Sequence, residues 1–398
     1  MRASAHSSRL VVVAVAFLLA SAFLSAQSAN PPSPTLHLQK AAKEISAGQL
    51  DQAEKELQSV LEAEPEEYRA LDLLGVVRVL QHEESKAEDL FTRAIRRKPD
   101  FAPAHAHLGL LYLNLARTDD ALGELRETVR LDPNRTDALG ALVHILEQQS
   151  QTASEAGNWD EALRLLRDAR KCAPDNANVQ YEFGIVALRL SLDEDAVEAF
   201  RRTLKLRSND ALAVYNLGRA FMELSKFDDA RIEFADYIKR RPNDASGYCA
   251  LGMTLAALER SSEAREQFER SIALAPGQTD SYYRLGLLDL GSGDYDKATQ
   301  NLRRVLDREP KNAAALTALG RVDFEQKNYA EAVSLLQQAV DSDPSVREAH
   351  YYLGLSLARL GRKDESAEQL EVAKQLEREE VQHRRTILRV VEPGAMDK

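Results

Sequence analysis

Eight histidines and 63 acidic residues could furnish a hydrolytic or metal site, so their spacing decides whether one exists. His105 and His107 are a close pair of imidazoles, but residues two apart on a helix point to different faces. Gly291-Ser292-Gly293-Asp294-Tyr295 has the glycine content of a phosphate-cradling loop. It lacks the downstream Lys followed by Ser or Thr that a P-loop uses. Cys172 and Cys249 are 77 residues apart, with no CxxC or Cys/His spacing around them. That pattern offers neither a disulfide nor a metal site. The carboxylates are spread along helix surfaces as a solvated face rather than gathered as an acid/base pair. No catalytic residue, cofactor, metal or small-molecule substrate is assigned, and the expectation is a protein that is not an enzyme.

The totals narrow the partners. Formal net charge is −11, and an acidic chain repels phosphate backbones, which argues against nucleic acid. Arg96-Arg97-Lys98, Lys239-Arg240-Arg241 and Arg303-Arg304 each fall near the end of a predicted helix, where cations complement the macrodipole. Hydrophobic content is 44% and aromatic content 6%, a composition that suits helices packed through Ala and Leu.

Residues 1–26 follow the plan of a secretory signal peptide. Arg2 and Arg9 precede an apolar or small-residue run from Leu10 to Leu24, and small residues follow through Ala29. Cleavage is expected after Ala26, making the protein exported, periplasmic or secreted. The run is shorter than the ~20 residues that span a bilayer; an uncleaved anchor is the alternative. Loss of Arg2 and Arg9 takes the charge to about −13. Residues 27–33 contain Pro31 and Pro32, just before Pro34, and read as a stiff linker.

The elements that would have to position any site emerge from periodicity. Prolines stand at 65, 99, 133, 174, 242, 276, 310 and 344. Glycines stand at 75, 109, 184, 218, 252, 286, 320 and 354, and alanines at 53, 87, 121, 162, 196, 230, 264, 298 and 332. All three series keep a period of 34 and share one excess of seven residues. A fixed period of this length marks a repeat architecture. Ten units result: 34–67, 68–101, 102–135, 136–176, 177–210, 211–244, 245–278, 279–312, 313–346 and 347–380. Within 211–244, Leu217, Ala220, Phe221 and Leu224 mark one helix, and Ala230, Phe234 and Ile238 a second. Pro242 stops the second, because proline disfavours α geometry in the residue before it. One such hairpin cannot bury both faces alone and must stack on neighbours. The extra residues of 136–176 lie between Val143 and Gly157, and form either a longer helix or a longer loop. Residues 381–398 read as a capping helix and tail, with Leu376, Val381, Ile387, Leu388 and Val391 on one broad side.

Leu217-Gly218, Phe221, Ala230, Phe234 and Pro242 in one unit, and Leu108-Gly109, Tyr112 and Ala121 in another, resemble the tetratricopeptide repeat family. The resemblance covers 34–380. It implies an all-α, right-handed superhelical solenoid of about ten helix-turn-helix repeats. Lys40-Ala41 replaces Leu-Gly in the first unit, and position 27 of a unit is Tyr237 or Val305 where the family has Ala. The asparagine ladder of the family's sugar transferases is absent, as is the Lys/Asn pair of its carboxylate-clamp members.

In this family the first helices of the hairpins line the binding surface, near positions 2, 5, 9 and 12. Those positions, with the adjacent Arg284, give the candidate groove residues Tyr181, Tyr215, Arg219, Met222, Met253, Tyr283, Arg284, Arg321 and Phe324. Ile185, Leu188, Cys249, Ala256, Leu287 and Leu290 share the stripe. Tyr, Met and Arg suit protein recognition. Arg219, Arg284 and Arg321 would form a positive track for an extended acidic or C-terminal peptide segment. The expected function is an exported monomeric scaffold for other proteins in an envelope or secretion assembly. The alternatives are a self-assembling structural solenoid and a regulatory subunit of an envelope enzyme.

Overall fold

The computed structural model describes residues 34–391; the signal-peptide and linker segments lie outside them, as do residues 392–398. Every regular element in the described residues is an α-helix, twenty in all. The chain divides into two compact units, one ending at Leu190 and the other beginning at Ser191.

The first unit runs α1 (Pro34–Ser46), α2 (Leu50–Ala63), α3 (Tyr68–Leu80), α4 (Glu84–Arg97), α5 (Ala102–Asn114), α6 (Thr118–Leu131), α7 (Thr136–Glu155), α8 (Trp159–Cys172) and α9 (Ala177–Arg189). The second runs α10 (Asp193–Leu206), α11 (Ala211–Glu223), α12 (Phe227–Arg240), α13 (Ala245–Ala257), α14 (Ser261–Leu274), α15 (Thr279–Ser292), α16 (Tyr295–Leu306), α17 (Ala313–Glu325), α18 (Tyr329–Ser342), α19 (Arg347–Arg359) and α20 (Lys363–Val391). Odd helices are the first of each hairpin and even helices the second. Within each unit, every helix packs on its neighbours in sequence. The seven extra residues lengthen α7 to 20 residues, where most first helices have 13. Ser150 in the extension is buried and donates to the Ala162 carbonyl at 3.3 Å. The last helix passes residue 380 without a break.

The three residue series acquire physical causes. All nine periodic alanines are fully buried, where two helices approach too closely for a larger side chain. Gly75, Gly109, Gly218, Gly252, Gly286, Gly320 and Gly354 each face position 24 of their own hairpin. A Cβ on Gly218 would stand 2.8 Å from Phe234 Cε1, and one on Gly252 2.6 Å from the ring of Phe268. The prolines supply an orphaned carbonyl. His105, Gln180, Tyr248 and His350, all at position 4, donate to the carbonyls of Pro99, Pro174, Pro242 and Pro344, six residues earlier. Arginines at or just past the ends of the second helices reach the same level: Arg240 donates to Ser208 O and Arg308 to Pro276 O.

Position 15, between the two helices, always takes the left-handed conformation. Gly48, Gly157, Gly293 and Gly361 fill it in four hairpins; His82, Ala116, Ser191, Ser225, Glu259 and Lys327 fill it in six. Gly293 is therefore a turn residue, and Gly291 and Ser292 belong to α15.

Neighbouring hairpins are also joined by polar links between position 21 of one and position 11 of the next. Glu54 accepts from Arg78, Tyr112 donates to Glu88 at 3.0 Å, and Arg265 donates to Asp289. The last pair reverses the sign of the first. Asp289 is fully buried and also accepts from Asn301 Nδ2 at 2.8 Å, so the buried carboxylate has the partners that burial demands.

Candidate functional site

An open groove of about 730 Å³ lies in the second unit, between α11, α13, α14 and α15. Met222, Met253, Ala256 and Leu287 from the sequence stripe and the adjacent Arg284 line it, together with Ser261, Ser262, Arg265, Phe268, Leu288, Gly291 and Ser292. The helical stripe puts Met253 and Ala256 on one wall and Arg284 and Leu287 on the other. Met222 Sδ lies 3.1 Å from Thr254 Oγ1 at the groove edge, where the hydroxyl also reaches the Ala250 carbonyl at 2.8 Å. The fully buried carboxylate of Asp289 holds Arg265. Arg284 pairs with no carboxylate among the described residues; it leans over the Tyr283 ring at 5.7 Å.

The remaining candidates fall around this groove rather than in it. Tyr215 is half-buried between Phe234 and Tyr237, with ring centroids at 5.5 and 5.0 Å; burial pushes its phenol up. Tyr283 packs on the core of Leu290, Leu302 and Leu319, and burial raises it likewise. Arg219 is exposed and donates to Asn216 Oδ1 at 3.0 Å. Arg321 is already paired with Glu348 at 3.2 Å and stacks over Tyr352 at 5.4 Å. Phe324 completes that cluster, edge-on to Tyr329 and Tyr352. Cys249 and Leu290 turn into the core and are buried. Tyr181 stands half-buried on α9, in the first unit. Of the three arginines expected to form a track, only Arg284 brings an uncompensated charge into the groove.

The corresponding face of the first unit carries opposite charge. Glu147 and Glu182 are half-buried, and burial raises both carboxyls, Glu182 further because Glu147 faces it. Asp72 and His107 meet at 2.8 Å in the core, joining α3 to α5. Both cysteines are free thiols, pushed up by burial. Among the described residues no group of three or more His, Cys, Asp and Glu side chains could hold a metal ion. No helix among them is long and apolar enough to cross a membrane.

Among the lining and supporting residues that the stripe did not select, the charged pair is Arg265 and Asp289, at positions 21 and 11. The available signal was Asp289 itself, an acid where Phe221 and Leu255 stand in the two preceding hairpins.

Residues 39–102, 85–136 and 147–211 match one tetratricopeptide repeat family, and 212–244 match a second. Residues 231–349 match the tetratricopeptide domain of cytochrome c-type biogenesis protein H. No curated protein matches the sequence. Similar solved structures include MamA from residue 41 to its end, from Desulfovibrio magneticus RS-1. It is 24% identical, with 43% of this chain and 96% of that one covered and a TM-score of 0.40. Yeast Tom70 is 16% identical over 88% of this chain and 96% of its own, with a TM-score of 0.41. YrrB, described as a tetratricopeptide protein with an unusual peptide-binding site, is 21% identical over 49% and 96%, with a TM-score of 0.38. The repeat matches together take in most of residues 39–349, and with the position-by-position packing of the hairpins they place this chain in the tetratricopeptide repeat family.

Proposed function

We propose that this protein is an exported, non-catalytic and monomeric scaffold, and that it holds segments of other proteins during an assembly process in the cell envelope. The groove of the second unit carries the reading. It joins thioether and aliphatic surface to an unpaired guanidinium, a mixture suited to peptide side chains. Its lining from Met253 to Ser292 falls within residues 231–349, the region similar to a cytochrome c-type biogenesis domain. Maturation of c-type cytochromes is therefore the first assembly to test. The signal-peptide pattern of residues 1–26 supports export to the compartment where such an assembly would stand.

The test is crosslinking in cells followed by identification of the captured proteins, with the parent and with Leu287→Glu, which places a charge on the apolar groove wall. Partners of the parent should be lost from the variant while its helical circular dichroism persists. Capture of the same partners by both chains would end the groove reading. N-terminal sequencing of the chain from the same cells should begin at Gln27, and light scattering of the purified chain should give a monomer mass that does not grow with concentration.

A further inference from the structure

The ligand chemistry of this groove can be taken beyond protein recognition in general, and the step rests on the reading above. Two guanidinium groups reach it. Arg265 has its charge answered by Asp289, which is itself fully buried and further tied to Asn301. Its side chain is thereby fixed as part of the wall. Arg284 is half-buried, bonded to no carboxylate among the described residues, and braced against the Tyr283 ring. The groove thus offers one positive charge with its hydrogen-bond donors unused. Around it the surface is apolar and adaptable: Met222, Met253, Leu287 and Leu288.

We infer that the occupant is an extended internal peptide segment carrying one acidic side chain beside one long aliphatic side chain. The carboxylate meets the Arg284 guanidinium in the two-pronged geometry that arginine favours. The aliphatic chain lies between Met222, Met253 and Leu287, where unbranched thioethers adjust to its shape. A single free guanidinium answers one carboxylate, so a chain terminus that also bears an acidic side chain would leave one charge unanswered. The groove is also open to solvent rather than an enclosed cavity, which suits a chain lying across it. Both features favour an internal segment over a C-terminus. Arg321, with Glu348 already in place, contributes little to this selection.

The experiment is selection of a displayed random decapeptide library on the immobilised full-length chain, followed by fluorescence anisotropy of the enriched peptides. The expected peptides carry Asp or Glu within two residues of Leu, Met or Phe. Arg284→Gln should weaken them about tenfold to a hundredfold, the span of a charge-assisted hydrogen bond. Raising the salt concentration should weaken them on the parent chain and much less on Arg284→Gln. C-terminal amidation should leave their affinity unchanged; a loss on amidation overturns the internal-segment assignment. Leu287→Glu should abolish binding, and Met253→Gln, a milder change of similar length, serves if the Leu287 variant does not fold. Enriched peptides without an acid, insensitive to Arg284→Gln but lost with Leu287→Glu or Met253→Gln, would overturn the acidic-ligand inference and keep the groove. Peptides insensitive to all three variants, or no enrichment at all, would overturn the groove itself.

Discussion

Both ring nitrogens of His105 face acceptors. Nδ1 lies 2.6 Å from the Glu124 carboxylate and Nε2 3.0 Å from the Pro99 carbonyl, an arrangement that only the doubly protonated imidazole satisfies. Burial works against that charge, but Glu124 and the Pro99 carbonyl outweigh it and hold the imidazole above its ordinary value. A raised folded-state value means that protonation stabilises the fold. The contribution is complete below the unfolded value, about 6.5, and is lost as pH rises through the folded one. Melting of the parent and of His105→Ala should differ most near pH 5.5, with the gap narrowing as pH rises; a gap independent of pH would contradict the assignment. The sequence places His105 and His350 at the fourth position of their units. Their bonds to the proline carbonyls were not legible there, because the periodicity shows that positions 4 and 32 recur without showing that one serves the other.

At the scale of the helical hairpin, the glycine and the left-handed turn make opposite predictions for the same pair of residue types. Gly218→Ala forces a methyl against Phe234, which is 1% exposed and has no space to retreat into. It should cost about 1–3 kcal/mol in chemical denaturation. Ser225→Gly removes the strain of a left-handed non-glycine residue at φ 56°. Relief of about 1 kcal/mol or more, less the entropy that glycine adds to the unfolded chain, leaves a gain of about 0.5 kcal/mol. A lowered denaturation midpoint for Ser225→Gly would show that the turn is held by something other than backbone conformation. The hairpins were legible because three residue types keep one period. The fate of the extra residues in 136–176 was not, since a small polar stretch serves a helix end or a loop equally well. Burial of Ser150 against α8 is what makes it helix.

At the scale of the whole chain, stability is a sum of units and nearest-neighbour interfaces. Damage should therefore stay where it is made. Phe268→Ala removes a fully buried ring, at a cost of about 3–5 kcal/mol. It should raise amide exchange in 245–292 and leave 68–131 at parental rates; uniform acceleration would mean a chain more cooperative than a stack of repeats. The same modularity set the limit on what the sequence showed of the site. A family stripe picks positions one helix at a time; of its members, Met222 and Met253 line the groove of the second unit, with Arg284 beside them. It also takes in Cys249 and Leu290, which are core, and Arg321, which pairs with Glu348 of the next hairpin. Compensation between hairpins is invisible to a reading made within one.

Position 27 shows what such compensation does to the effect of a single substitution. Tyr237 fills a place that is small elsewhere and donates its hydroxyl to Asp244. Its ring lies so close to Gly247 that a Cβ there would come within 2.7 Å. Alanine at 247 would set a methyl against the Tyr237 ring, an overpacking cost of about 1–3 kcal/mol. Glycine avoids the clash, at the cost of about 1 kcal/mol that it exacts inside a helix. The pair is thus coupled: Gly247→Ala should destabilise the parent yet stabilise a Tyr237→Ala background, and a reversal of sign between the two melting curves would measure that coupling.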